Sequence, residues 1–303
     1  MRRWIFVHLK WYTLLSMLDF YHFVKDNPQF RQFKVDEFLF TAYDCPLEES
    51  PLTYWVDKNY FCFIIKGGAK WKTPKEEILF KVGDAVFLKK GAHRVLKIQE
   101  GEFCALLIFM PDEFISTVIK TDIDVKDKPL QNQAIESIIP ISLDQSLLDY
   151  FHSVLNYFSQ STTPSKSLLK VKLRELVVNI ATGKTNPALA ECFSKIAYCT
   201  KIDLKAVMEE NFTFNLNLTD FARLSGRSLA TFHRDFAKTF QTSPGQWLKQ
   251  KRLEYARHLL KTTDLSVNEI TMEIGLENTS HFIKIFKECY NDSPLKYRKS
   301  AFA

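Results

Sequence analysis

Between Leu216 and Ala303 one pattern is written twice. A short amphipathic segment reaches a glycine, a second segment is built around Phe-x-x-x-Phe, and Ser-Pro opens a third. The first copy carries Gly226, Phe232, Phe236 and Ser243-Pro244; the second carries Gly275, Phe282, Phe286 and Ser293-Pro294. The glycines stand 49 residues apart. A helix, a tight turn needing a residue with positive φ, and a second helix make a helix-turn-helix. Two of them in tandem confine this region to a small all-α fold. They also allow two helices to enter successive major grooves on one face of DNA.

Thr219 is read as the N-cap of the first helix, with acidic Asp220 in its first turn. Ser228 caps the second helix, on which Leu229, Phe232 and Phe236 are expected to face inward. That leaves Ala230, Thr231, His233, Arg234 and Lys238 outward. Arginine can hold O6 and N7 of guanine bidentately, so Arg234 is the leading base reader; Thr231 and His233 can bond bases or phosphates. An idle surface histidine is the alternative for His233. In the second unit Thr279 starts the corresponding helix. Phe282, Ile285 or Phe286, and Cys289 or Tyr290 are expected inward. Ser280, His281, Ile283, Lys284 and Lys287 lie on or beside the outward face. Counted from the turn glycine, Lys284 is read as the counterpart of Arg234. An apolar Ile283 beside it suits a thymine methyl.

Ser243-Pro244 begins a long helix reaching about Lys261, with Lys249, Lys251, Arg252 and Arg257 as its basic residues. A rigid link fixes the spacing of the two recognition helices, and about 34 Å would match one DNA turn. Tyr297-Arg298-Lys299 adds phosphate-contact potential. Charge agrees with this reading. From Leu216 onward there are 14 Lys and Arg against 9 Asp and Glu, a net of +5, whereas the whole chain of 303 residues carries +6. The basic excess sits where the repeat sits.

The remainder is of a different kind. From about Phe30 to Met110 short β-prone runs such as Tyr60–Lys66 and Phe103–Met110 alternate with turn signals. Gly67-Gly68 reads as a hairpin, and Val82-Gly83-Asp84 and Lys90-Gly91 as turns. A β-sandwich or small barrel is expected. Ile119 to Asn132 reads as a charged loop. Leu143–Phe158 and Ser165–Ala181 read as helices, the second with Leu168, Leu169, Leu173, Leu176, Val177 and Ile180 along one face. That stripe either caps the β-domain or pairs with its counterpart in a second subunit. Further helices are expected from Asn186-Pro187 to Ala197 and from Asp203 to Glu210.

Several classes are excluded by what is missing. The six cysteines form no Cys-x-x-Cys and no zinc spacing, and read as reduced thiols. No P-loop, dinucleotide fingerprint or Gly-x-Ser-x-Gly occurs. No run of eighteen apolar residues occurs, so a membrane span is not expected. Lys10 and Asp19 break the apolar start, which argues against a signal peptide.

The C-terminal ninety residues resemble the DNA-binding domain of the AraC/XylS family of bacterial transcription regulators. In the first half the resemblance rests on Leu218, Ala222, Leu224, Ser225-Gly226, Ser228, Phe232, Arg234, Phe236, Phe240, Ser243-Pro244 and Trp247. In the second it rests on Ile270, Glu273, Ile274-Gly275-Leu276, Phe282, Lys284, Phe286-Lys287, Ser293-Pro294 and Tyr297-Arg298. Thr271 departs from the family's Ala and Asn291 from its Gly; Asn tolerates the left-handed conformation. The resemblance implies base contacts at Ala230, His233 and Arg234, and at Thr279, Ser280, His281 and Lys284. Val82-Gly83-Asp84, Phe87-Leu88 and Gly91-Ala92-His93 are similar to the family's cupin-like sensor half, most of all in the subgroup that includes activators of type III secretion. There a partner protein can replace a sugar as the controlling signal. A metal-binding cupin would need further histidines near His93, which has none within fifty residues.

The expectation is an α+β chain: an N-terminal extension (1–29), a cupin-like β-sandwich or barrel (30–115), a linker and helical dimerisation region (116–211), and an all-α domain of two helix-turn-helix units (212–303). It is expected to be a cytoplasmic transcription regulator, an activator rather than an enzyme. A cupin-type enzyme with a DNA-binding appendage is the alternative. The implied partners are double-stranded promoter DNA, RNA polymerase through the family resemblance, a second copy of the chain, and a small-molecule or protein effector. No cofactor, metal or membrane is expected. The proposed DNA-binding residues are Thr231, His233, Arg234, Lys238, Thr279, Ser280, His281, Lys284 and Lys287.

Overall fold

A computed structural model describes residues 17–45, 51–98, 103–123, 136–198 and 202–301. The chain forms two compact units, 1–200 and 201–303.

The first unit is built on two sheets. One has the order β1 (Leu18–Asp19), β4 (Leu52–Val56), β9 (Gly91–Lys97), β6 (Gly68–Lys72), β7 (Glu77–Lys81). The other has the order β11 (Ile138–Ile141), β8 (Ala85–Leu88), β5 (Asn59–Lys66), β10 (Cys104–Met110), β3 (Phe38–Asp44), β2 (Arg31–Val35). Leu18–Asp19 runs parallel to β4 and leads into helix α1 (Phe20–Asp26), whose Phe20, Tyr21 and Val24 are buried. The stretch 18–26, expected within an extension, is thus packed into the sandwich.

Gly67-Gly68 does not make a hairpin. β5 lies in one sheet and β6 in the other, so the turn carries the chain between layers. Val82-Gly83-Asp84 and Lys89-Lys90 do the same. Local turn chemistry reports that the chain reverses; it does not report which sheet receives the next strand. A hairpin the sequence reading did not single out joins β2 to β3, with Val35 opposite Phe38 and Asp36 in the left-handed region.

Phe103–Met110 reads as a continuous apolar run because the strand is covered on both sides. Ala105, Leu107 and Phe109 face the core between the sheets, while Leu106, Ile108 and Met110 join a second core beneath a helical layer. That layer is α2 (Asp112–Asp122), α3 (Gln145–Ser159), α4 (Lys166–Thr182) and α5 (Pro187–Tyr198). Ile119–Asp122 belongs to α2, not to a loop; Ile115, Val118 and Ile119 are buried at helical spacing, while Glu113 and Lys120 are exposed. Residues 124–132 of the expected loop lie outside the described residues. On α4, Leu169, Leu173, Leu176, Val177 and Ile180 are buried in the same core. The stripe therefore caps the sheet. Leu168 sits off it, exposed together with Val171.

In the second unit, α6 (Leu204–Asn211) precedes α7 (Leu218–Leu224), α8 (Leu229–Phe240), α9 (Pro244–Thr262), α10 (Val267–Glu273), α11 (Thr279–Tyr290) and α12 (Pro294–Ala301). No helix among the described residues is long and apolar enough to cross a membrane.

Candidate nucleic-acid interface

Each helix-turn-helix opens on a reciprocal capping box. Asp220 N–H donates to Asn217 Oδ1 at 2.9 Å and Asn217 N–H to Asp220 Oδ2 at 3.2 Å. In the second unit Glu269 N–H donates to Ser266 Oγ at 3.2 Å and Ser266 N–H to Glu269 Oε2 at 2.7 Å. The expected cap Thr219 is instead in the first turn, because Asn217 satisfies the N3 amide and Asp220 answers it. The hydroxyl and backbone amide of Ser266 hold the Glu269 carboxyl below its usual range.

Both turns then close alike. Arg227 N–H reaches Ala222 O, and Leu276 N–H reaches Thr271 O, around glycines at φ +66 and +75. Gly275 is doubly constrained, since a Cβ there would meet the Thr213 carbonyl oxygen at 2.6 Å. Beyond this point the copies differ. Ser228 caps α8 two residues after Gly226, but Asn278 caps α11 three residues after Gly275. Arg234 is thus eight residues from its glycine and Lys284 nine, so counting from the glycines does not align them. Counting from the caps does: both stand six residues on. In that frame His281 matches Thr231 and Ile283 matches His233.

The Phe-x-x-x-Phe signature is the inner face of each recognition helix. Phe232, Phe236, Phe282 and Phe286 are fully buried. Each Ser-Pro helix then brings an aromatic to close the pocket. Phe240 stacks on Phe236 and meets Trp247 at 5.2 Å; Tyr297 meets Phe286 at 5.6 Å. Gln241 and Asn291 end the two helices in the left-handed region. Ile285 is buried as well, Tyr290 half-buried, and Cys289 exposed. Leu229, expected inward, is 41% exposed. It stands in the first turn, off the stripe on which Phe232 and Phe236 lie.

The outward faces carry the anticipated residues. On α8, Ala230, His233, Arg234 and Lys238 are exposed; Thr231 is half-buried, its Oγ1 accepting from Ser228 Oγ at 2.9 Å. On α11, Ser280, His281, Lys284 and Lys287 are exposed, as is Ile283 at 38%. Thr279 is half-buried and donates to Asn268 Oδ1 at 2.7 Å.

Other basic residues turn inward. Arg298, expected at phosphate, donates to the carbonyls of Leu260 and Leu265. Arg252 donates to the carbonyls of Phe212 and Phe214, both at 2.7 Å, and burial brings its guanidinium down to about 10. Lys251 pairs with Glu209 at 2.8 Å. Asn215 Nδ2 meets Glu277 Oε1 at 2.7 Å. Segment 212–215 is therefore held by the linking helix α9 and by the turn of the second helix-turn-helix, which ties the two halves of the unit together.

In the first unit, a small apolar cavity of about 40 Å³ lies between the sheets beside Tyr54, Tyr60 and Trp71. Trp71 Nε1 donates to Tyr54 Oη at 3.0 Å, and the two tyrosine hydroxyls bond each other. His93 is 2% exposed, bonds the Lys89 carbonyl through Nε2 at 2.7 Å, and is lowered by burial to about 4. Among the described residues, no three His, Cys, Asp or Glu side chains are grouped to hold a metal.

Comparison with known proteins agrees with both units. The family described as the ExsA N-terminal regulatory domain matches residues 59–192, and that of a helix-turn-helix domain matches 221–300. The virulence regulon transcriptional activator VirF of Yersinia enterocolitica (serotype O:8) is 24% identical over 242 residues, covering 79% of this chain and 89% of VirF. The regulator ExsA of Pseudomonas aeruginosa is 28% identical over 129 residues, 43% of this chain and 46% of ExsA. A crystal structure of ToxT from Vibrio cholerae, 15% identical, covers 88% of this chain and 98% of its own, with a TM-score of 0.39. With a regulatory-domain match, a helix-turn-helix match and full-length activators as relatives, this chain belongs to the AraC/XylS family of transcription regulators.

Proposed function

We propose that this transcription regulator reads two successive major grooves, α8 in one and α11 in the other, and activates transcription from the promoters it binds. The observation that carries the reading is the pair of exposed polar stripes in one cap-defined frame: Arg234 and Lys284 at the same helical position, with His233, Lys238, His281 and Lys287 around them. Arg234 and Lys284 read base edges, and Lys238 and Lys287 contact phosphate. Thr231 and Thr279, each already holding one hydrogen bond, place their hydroxyls at the start of the groove contact.

The first unit takes the controlling signal and pairs two copies of the chain in the cytoplasm; it is not a catalyst. A protein effector is favoured over a sugar, because the cavity between the sheets is small, is lined mostly by apolar side chains, and its tyrosine and tryptophan polar groups already bond one another. RNA polymerase is the partner at the promoter.

Selection of fragments from a random duplex library by the full chain tests the reading. Two elements about ten base pairs apart are expected. Enrichment of a single element, or of none above a salt-sensitive background, would reject it.

A further inference from the structure

Arg227 immediately follows the turn glycine of the first helix-turn-helix, yet the turn does not need it. The second unit makes the same turn with Leu276, whose amide closes the same bond. The Arg227 side chain is occupied elsewhere. Its Nε donates to Asp235 Oδ2 at 3.0 Å, on α8. Its Nη1 donates to the carbonyls of Ser225 at 2.8 Å and Ile202 at 2.9 Å. Only 9% of the Arg227 side chain and 27% of the Asp235 side chain are exposed.

Two comparisons within the unit give this geometry meaning. Asp235 stands seven residues past its cap, and Ile285 holds the same place on α11. The ion pair of the first copy is thus replaced in the second by Ile285, a member of the apolar core, and Leu276, which is partly buried and packs against that core. Seating a recognition helix on its turn can be done by packing alone. What the apolar pair cannot do is hold a carbonyl. Ile202 is the first described residue of the second unit, where the chain arrives from the regulatory half.

We propose that Arg227 is a positioning residue for DNA reading: it ties recognition helix α8, through Asp235, to the incoming segment at Ile202. No such tie to Ile202 holds α11. The first half of the DNA site is therefore the half whose reading depends on the incoming segment. This inference rests on the two-groove reading above.

The test uses the full chain with Arg227→Leu/Asp235→Ile, which installs the second unit's own apolar pair. Such exchanges are often neutral for stability, so a melting temperature within a few degrees of the parent is expected. Base preference in the element read by α8 should fall about tenfold, while the α11 element keeps its preference. Arg227→Lys, whose single ammonium cannot serve three separated acceptors, should move preference in the same direction by less. Preference retained at both elements would overturn the proposal. Uniform loss at both elements with a shallower salt dependence would also overturn it, making Arg227 a phosphate contact. If the parent protein selects no bipartite site, the two-groove reading fails and this role fails with it; that outcome is read before any variant is compared.

Discussion

Arg234 and Lys284 occupy one position, six residues past Ser228 and Asn278, on two helices that share an inner face of paired phenylalanines. Both are exposed. Arg234→Ala should lower specific affinity by roughly 1–3 kcal/mol and relax preference at one base pair in one element. Lys284→Ala should do the same in the other element. Competition binding against single-base variants of the selected site would check this; a mutant with unchanged base preference would remove that residue from the readers.

Lys238 and Lys287 are assigned to phosphate, and that role has a different signature. Each Lys→Ala change should weaken binding about equally across sequences and reduce the magnitude of the salt slope by roughly one. Binding isotherms at several salt concentrations give the slope directly. A changed base preference with an unchanged slope would move the residue into the reading group.

Gly275→Ala combines a positive φ with a Cβ facing the Thr213 carbonyl oxygen at 2.6 Å. The expected loss is roughly 2 kcal/mol or more. Gly83→Ala shares the positive φ but faces open space, and should cost about 1 kcal/mol. Thermal unfolding of the two variants side by side tests the difference, and equal losses would show that close approach adds nothing.

His93 is buried and neutral, lowered from 6.5 to about 4. Between those values the unfolded chain binds a proton that the folded chain refuses. Stability from this group is therefore complete above about pH 6.5 and is lost as pH falls toward 4, on the order of 3 kcal/mol in all. Denaturant unfolding across that range should show a steeper acid loss for the parent than for His93→Gln. Identical slopes would mean that His93 already takes up its proton in the folded protein.

Much of the second unit was legible because its signals are local. Ser228, Ser243-Pro244 and the Phe-x-x-x-Phe spacing each fix structure within a few residues. What escaped reading depends on partners far along the chain. Nothing near Arg252 announces that it will hold carbonyls forty residues away, and Arg298 looks like any terminal cation until Leu260 and Leu265 are in place. Thr219 has a cap's chemistry, but the cap is Asn217, whose spacing of three residues from Asp220 allows the reciprocal box. The glycine count misaligned Lys284 because one residue was added to the second turn, and on a helix one position is about 100° of rotation. In the first unit, turn residues located reversals but not sheet membership, since a strand's pairing partner is set by segments distant in sequence, as Tyr60–Lys66 pairs with Cys104–Met110.

The chain changes layer at Gly67, at Gly83 and again at Lys89-Lys90, so successive strands are laced through both sheets like a cord through paired eyelets. Neither sheet can be completed while the other is absent. Such non-local pairing delays folding until distant segments meet, and it leaves little room for one layer to open alone. The sandwich should assemble late and come apart as a whole, while the tandem helical repeat, made of neighbours in sequence, forms around its own local contacts early.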